Sequence, residues 1–101
     1  MTVPTPPIGF SGAPAAVEGR LNDGPPVDEA AVAALRAACP DTVTDPALRA
    51  EASRDWWPLA MHWAIAGQVG GLADVVCRPA DAGEVAAVLR VCHARSLPVT
   101  A

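Results

Sequence analysis

The chain has 101 residues, a net charge of −4 and seven basic residues spread singly along it, a pattern with no footprint for a phosphate backbone and one that argues against nucleic-acid binding. No stretch approaches the ~20 apolar residues needed to cross a bilayer, and the opening residues lack the cationic and continuous apolar regions of a secretory signal. Six of the eleven prolines and four of the eight glycines lie in residues 1–26, which leaves about 75 residues to build a core.

Residues 1–26 read as a flexible Pro/Gly/Ala-rich tail, because such sequence buries little for each residue it orders. Residues 27–72 read as a helical segment. Asp28 is an N-cap for a helix over residues 29–39 that places Val32, Leu35 and Cys39 on one face, and Pro40 stops it. Asp45-Pro46 opens a second helix through Ser53, with Arg49, Glu51 and Arg54 expected in solvent. Trp56, Trp57 and Trp63 then fall within eight residues, and Pro58 forbids a continuous helix through them. Packing in a core or between domains is the leading expectation for these rings. Gly67 to Gly71 reads as a loop.

The clearest pattern begins at Ala73. Asp74-Val75-Val76-Cys77 has the composition of a buried strand closed by Arg78-Pro79. Asp81 and Glu84 then form a capping box for a helix whose apolar stripe is Val85, Val88, Leu89 and Cys92. Ser96-Leu97-Pro98 ends that helix, and Val99-Thr100-Ala101 is extended. Strand, helix and strand make a βαβ unit with parallel strands and a right-handed crossover. The fold class is therefore α+β, with amino-terminal helices followed by a βαβ unit.

Three cysteines, Cys39, Cys77 and Cys92, form an odd set without a CxxC pair. They suit reduced thiols, small buried hydrophobes and a cytoplasmic location, and with two histidines they show no metal-ligand spacing. His62, in an apolar stretch, is expected to be packed. Asp28, Glu29, Asp81 and Glu84 are explained by capping, which leaves no carboxylate pair for acid–base chemistry, and no catalytic residue is assigned.

Ala52-Ser53-Arg54-Asp55-Trp56-Trp57-Pro58, Ala73 to Pro79, Glu84-Val85, Val88-Leu89 and Leu97-Pro98-Val99-Thr100 together resemble the beginning of a PCMH-type FAD-binding domain. Such domains belong to the vanillyl-alcohol oxidase and p-cresol methylhydroxylase superfamily. Within it the likeness is to FAD-linked oxidases similar to alkyldihydroxyacetonephosphate synthase and to glycolate oxidase or D-lactate dehydrogenase flavoprotein subunits. Val76-Cys77-Arg78-Pro79, Glu84-Val85 and Pro98-Val99 match the family's pieces in order, over a resemblance that spans about residues 45–101.

The resemblance implies that residues 73–101 begin an incomplete FAD-binding domain, and that Pro98, Val99, Thr100 and Ala101 lead toward the cofactor. The family's Gly-Gly loop, whose backbone wraps the flavin pyrophosphate, is expected after Ala101. The parent family are FAD-dependent oxidoreductases that oxidise an organic substrate, such as a hydroxy acid, by hydride transfer to FAD. The 101-residue chain alone is expected to be inactive. Some relatives attach flavin through a histidine, but His93 lies on the helix and not in the loop. The other readings are a small non-enzymatic helical interaction module and an inactive truncated relic.

Overall fold

The computed structural model describes residue 10, residues 12–22 and residues 25–101. The tail expected over residues 1–26 therefore lies outside the described residues at positions 1–9, 11, 23 and 24. In chain order the described elements are a 3-10 turn at Pro14–Ala16, β1 (Glu18–Gly19), α1 (Glu29–Ala38), β2 (Thr42–Val43), α2 (Pro46–Ala52), α3 (Pro58–Ile65), β3 (Gln68–Val69), β4 (Val76–Cys77) and α4 (Ala82–Ala94). The fold is a small α+β arrangement with four α-helices and two two-stranded sheets among the described residues.

Two compact units divide these elements, one drawn from residues 1–23 and 45–73, the other from residues 24–44 and 74–101. In the first unit β1 runs parallel to β3, with Glu18 opposite Gln68 and Gly19 opposite Val69. This pairing corrects two expectations. Residues 14–22 carry structure where composition suggested a tail, and the glycine-rich stretch after α3 contains a strand. Gly67, at φ 74°, supplies the left-handed residue that ends α3, a conformation that glycine adopts without a Cβ penalty. The chain is thereby released into β3.

Val17, Ala50 and Val69 form the buried cluster of this unit, with Phe10 and Leu72 packed on it. Asp45 caps α2 by accepting from the Leu48 amide at 3.0 Å, and Pro46 occupies the first helical position, where no amide donor is needed. Polar side chains hold the following main chain. Arg49 Nε donates to the Ala73 carbonyl at 2.7 Å, and Ser53 Oγ accepts from the Ala73 amide at 2.9 Å. Arg49 and Arg54 are thus half-buried and engaged, not free in solvent as the sequence suggested. Asn22 grips Leu72 from both sides, accepting from its amide at 2.7 Å and donating to its carbonyl at 3.0 Å.

In the second unit Asp28 caps α1 through the Ala31 amide at 2.7 Å, and the helix buries Ala31 and Leu35, with Cys39 fully buried as its C-cap. The expected apolar face is present, with Val32 half-buried beside it. α1 packs against α4. β2 pairs with β4 in antiparallel register, Thr42 opposite Cys77 and Val43 opposite Val76. The strand expected from Asp74 shortens to Val76–Cys77, and Val99–Ala101 forms no strand. The expected βαβ unit is therefore absent from the described residues; β2 supplies the neighbour of β4 instead. Both strands are short and can pair because Pro40 ends α1 and turns the chain back.

Candidate functional site

The positions tied to a cofactor by resemblance follow α4, so the end of that helix decides how they are presented. Asp81 Oδ1 accepts from the Glu84 amide at 2.8 Å, while Glu84 Oε2 accepts from the Ala80 amide at 2.7 Å. The capping box thus exists with its return arm one residue further out than the simplest form. At the other end Ser96 takes a left-handed φ of 54°. The Leu97 amide donates to the Cys92 carbonyl at 2.9 Å and the Ser96 amide to the His93 carbonyl at 3.3 Å. These two bonds form a Schellman stop. Pro98, Val99, Thr100 and Ala101 follow it, exposed and outside any helix or strand.

The apolar stripe of α4 is only partly covered. Cys92 is buried and Val88 half-buried, but Val85 and Leu89 are 43% and 49% exposed, and Val99 is 52% exposed. Burial, with Cys77 as a smaller contributor, pushes the Cys92 thiol above its ordinary value. A thiol held protonated in this way is a poor nucleophile. Arg78 donates to Asp41 Oδ1 at 2.9 Å, and this hydrogen bond and ion pair raise the guanidinium further. Both partners are exposed, so the pair contributes little to stability. His93 is exposed on α4, away from residues 98–101 in sequence, and His62 is exposed as well, contrary to the packed position expected for it.

The first unit holds the aromatic surface. Trp56 and Trp57 are 68% and 56% exposed, which corrects the expectation that they pack in a core. The cause lies in the composition of α3. Its inward positions are Ala60 and Ala64, both buried, so the larger Leu59 and Ile65 are left 45% and 57% exposed on the rest of the helix. Pro58 at the first helical position and an Asp55 side chain accepting from the Trp57 amide at 2.9 Å hold both leading tryptophans outside the helix. Trp57 meets Trp63 edge to face at 5.8 Å, and the Arg20 guanidinium lies 5.0 Å from the centre of the Trp63 ring. Arg20 also donates to Gln68 Oε1 at 2.8 Å. Tryptophan count alone could not separate an outward face from a core, but the alanines at positions 60 and 64 were a signal.

A cleft of about 20 Å³ is lined by Arg54, Asp55, Trp56, Met61 and Ala64, far below the roughly 300–1,000 Å³ that enclose a small ligand. A depression of about 380 Å³ along α1 is lined by Glu29, Val32, Ala33, Arg36 and Thr44, but it is open to solvent and none of the resemblance-derived positions lines it. Among the described residues no group of three or more His, Cys, Asp or Glu side chains is placed to hold a metal ion, and no helix is long and apolar enough to cross a membrane. Comparison with protein families, with curated proteins and with solved structures returns no match.

Proposed function

We propose that residues 73–101 are the beginning of a PCMH-type FAD-binding domain, and that the protein to which they belong is an FAD-dependent oxidoreductase acting on an organic substrate such as a hydroxy acid. The observation that carries this reading is the order of parts from Val76 to Ala101. A short strand closed by Arg78-Pro79, a helix capped by Asp81 and Glu84, and a Schellman stop at Ser96 are followed by Pro98–Ala101 as exposed chain outside any helix or strand. That is the arrangement from which a glycine loop would turn around a pyrophosphate, with backbone N–H groups converging on the anion. Val85, Leu89 and Val99, left bare, mark apolar surface that the rest of such a domain would cover.

In this reading Pro98, Val99, Thr100 and Ala101 position main chain near the flavin, and none of them acts on substrate. FAD, when bound, supplies hydride acceptance. The test is a titration with FAD followed by flavin fluorescence, run on this chain and on one extended through the genomic reading frame. Binding by the extended chain alone supports the reading. Absence of binding by both removes it and leaves the interaction module, which the exposed Trp56 and Trp57 favour.

A further inference from the structure

We infer that the outward face of α1 is a self-association surface, on which a second copy of this chain lays its own α1 antiparallel, about a twofold axis between Val32 and Ala33. The inference does not rest on the flavin reading. α1 turns one face into the second unit, where Ala31 and Leu35 are buried and the helix packs against α4. Its other face carries Glu29, Val32, Ala33 and Arg36, which with Thr44 line an open depression of about 380 Å³. All five residues belong to one unit, and Glu29, Ala33 and Arg36 are exposed. Glu29 and Arg36 are two helical turns apart, so they share a face and stand about 10 Å from one another along the axis.

The order of residues on this face points to its occupant. The midpoint between Glu29 and Arg36 in the chain is also the midpoint between Val32 and Ala33. A twofold axis there sets Glu29 against the partner's Arg36 and Val32 against the partner's Ala33, and the same contacts recur on the other side of the axis. Opposite charges then meet at both ends, and a larger side chain meets a single methyl on either side of the centre. The small Ala33 lets the helices approach toward ~8 Å, the short end of helix-packing distances. A parallel arrangement would bring like charges together at both ends, so the charges select the antiparallel one. Neither charge is committed elsewhere. Among the described residues Glu29 makes no ion pair, and Arg36 makes only a long hydrogen bond from Nε to the Thr42 carbonyl at 3.4 Å. A helix of 10 residues is ~15 Å long, so the contact covers less than the roughly 1,000 Å² of a stable interface. The dimer is therefore weak, with a dissociation constant on the order of 0.1–1 mM.

The test is sedimentation equilibrium of the full chain from about 0.01 to about 2 mM, a range that brackets this constant. Monomer is expected at the low end and dimer at the high end. Glu29→Arg and Arg36→Glu each place like charges at both ends of the contact, and each variant alone associates at least about tenfold more weakly than the parent chain. Mixed in equal amounts, the two variants again oppose unlike charges at both ends and associate at least as well as the parent. Both positions are exposed, so the variants keep the helix, which circular dichroism checks. Independently of any variant, association of the parent chain weakens at least about threefold between about 0.05 and 0.5 M NaCl, because exposed ion pairs are screened. A parent chain that stays monomeric throughout, or whose association ignores salt, overturns the inference. Association that survives both charge reversals assigns the contact to another surface and overturns it too, as does a mixture of the two variants that fails to recover.

Discussion

Replacing Thr42 separates hydrogen bonding from packing in the second unit. Thr42 is 5% exposed, and its hydroxyl donates to the Cys39 carbonyl at 2.6 Å, with the Leu35 carbonyl at 3.4 Å and the Cys77 sulfur at 3.5 Å. The Leu35 carbonyl already accepts from the Cys39 amide at 2.8 Å, so the carbonyl most dependent on Thr42 is that of Cys39, at the end of α1. Thr42→Val keeps the shape and removes the donor. A buried carbonyl losing its partner costs about 1–3 kcal/mol, and we take ~2 kcal/mol as the expected loss. Thr42→Ser keeps the donor and removes one methyl, which costs ~1 kcal/mol. Urea denaturation followed by helical circular dichroism measures both, since a change in midpoint at constant slope is a change in stability. If the valine variant is as stable as the parent, or the serine variant is the weaker of the two, the hydroxyl does not hold the end of α1 and the reasoning fails.

Other perturbations have equally definite signs. A Cβ at Gly19 would fall 1.5 Å from Asn22 Oδ1 and 3.0 Å from the Leu72 amide nitrogen, so Gly19→Ala displaces Asn22 from both bonds to Leu72 and lowers stability by about 1–3 kcal/mol in the same denaturation assay. Ser96→Gly relieves a left-handed residue at the end of α4 and raises the melting temperature, with a gain of up to about 1 kcal/mol. The folded state holds the Cys92 proton more tightly than the unfolded chain, because the thiol is raised above its ordinary 9.0. Its contribution is therefore complete below pH 9.0 and is lost as pH rises through the folded-state value. Urea midpoints measured from neutral pH upward should fall above that point, and Cys92→Ala should lessen the slope.

Much of the helical framework was legible because capping chemistry is local. Asp28, Asp45 and Asp81 each cap the helix expected of them, and Pro58 begins a helix instead of interrupting one. The sheets were not legible. Each strand is two residues long, too short for alternation to register, and each pairs with a strand far away in sequence. Glu18-Gly19 carries no β-forming character of its own and is a strand because Gln68-Val69 lies alongside it. Similarly, Val76-Cys77 was readable as a strand, but nothing in its own sequence named Thr42-Val43 as its neighbour. Pro98–Ala101 are tied to a cofactor by resemblance alone, and their local setting follows from a detail the sequence does not announce, a serine in the left-handed position where glycine is the usual helix stop. The size of the tryptophans points to a core, but the alanines that occupy the inner face of α3 leave Trp56 and Trp57 outside it.

The chain passes from one compact unit to the other at residues 23–24, 44–45 and 73–74, so neither unit is a continuous piece of sequence. During synthesis β1 has to wait for β3, 50 residues later, and β2 for β4, 35 residues later. Each closure spends loop entropy on a two-residue pairing, which repays it only when the surrounding side chains pack at the same time. The first unit becomes able to assemble once residue 73 has left the ribosome, when the earlier stretch of the second, residues 24–44, has already been made and lacks its counterpart. A single proteolytic cut between residues 24 and 44 would sever the covalent link between the two parts of the first unit while touching none of its own residues. Division of the chain at one point cannot yield both units intact.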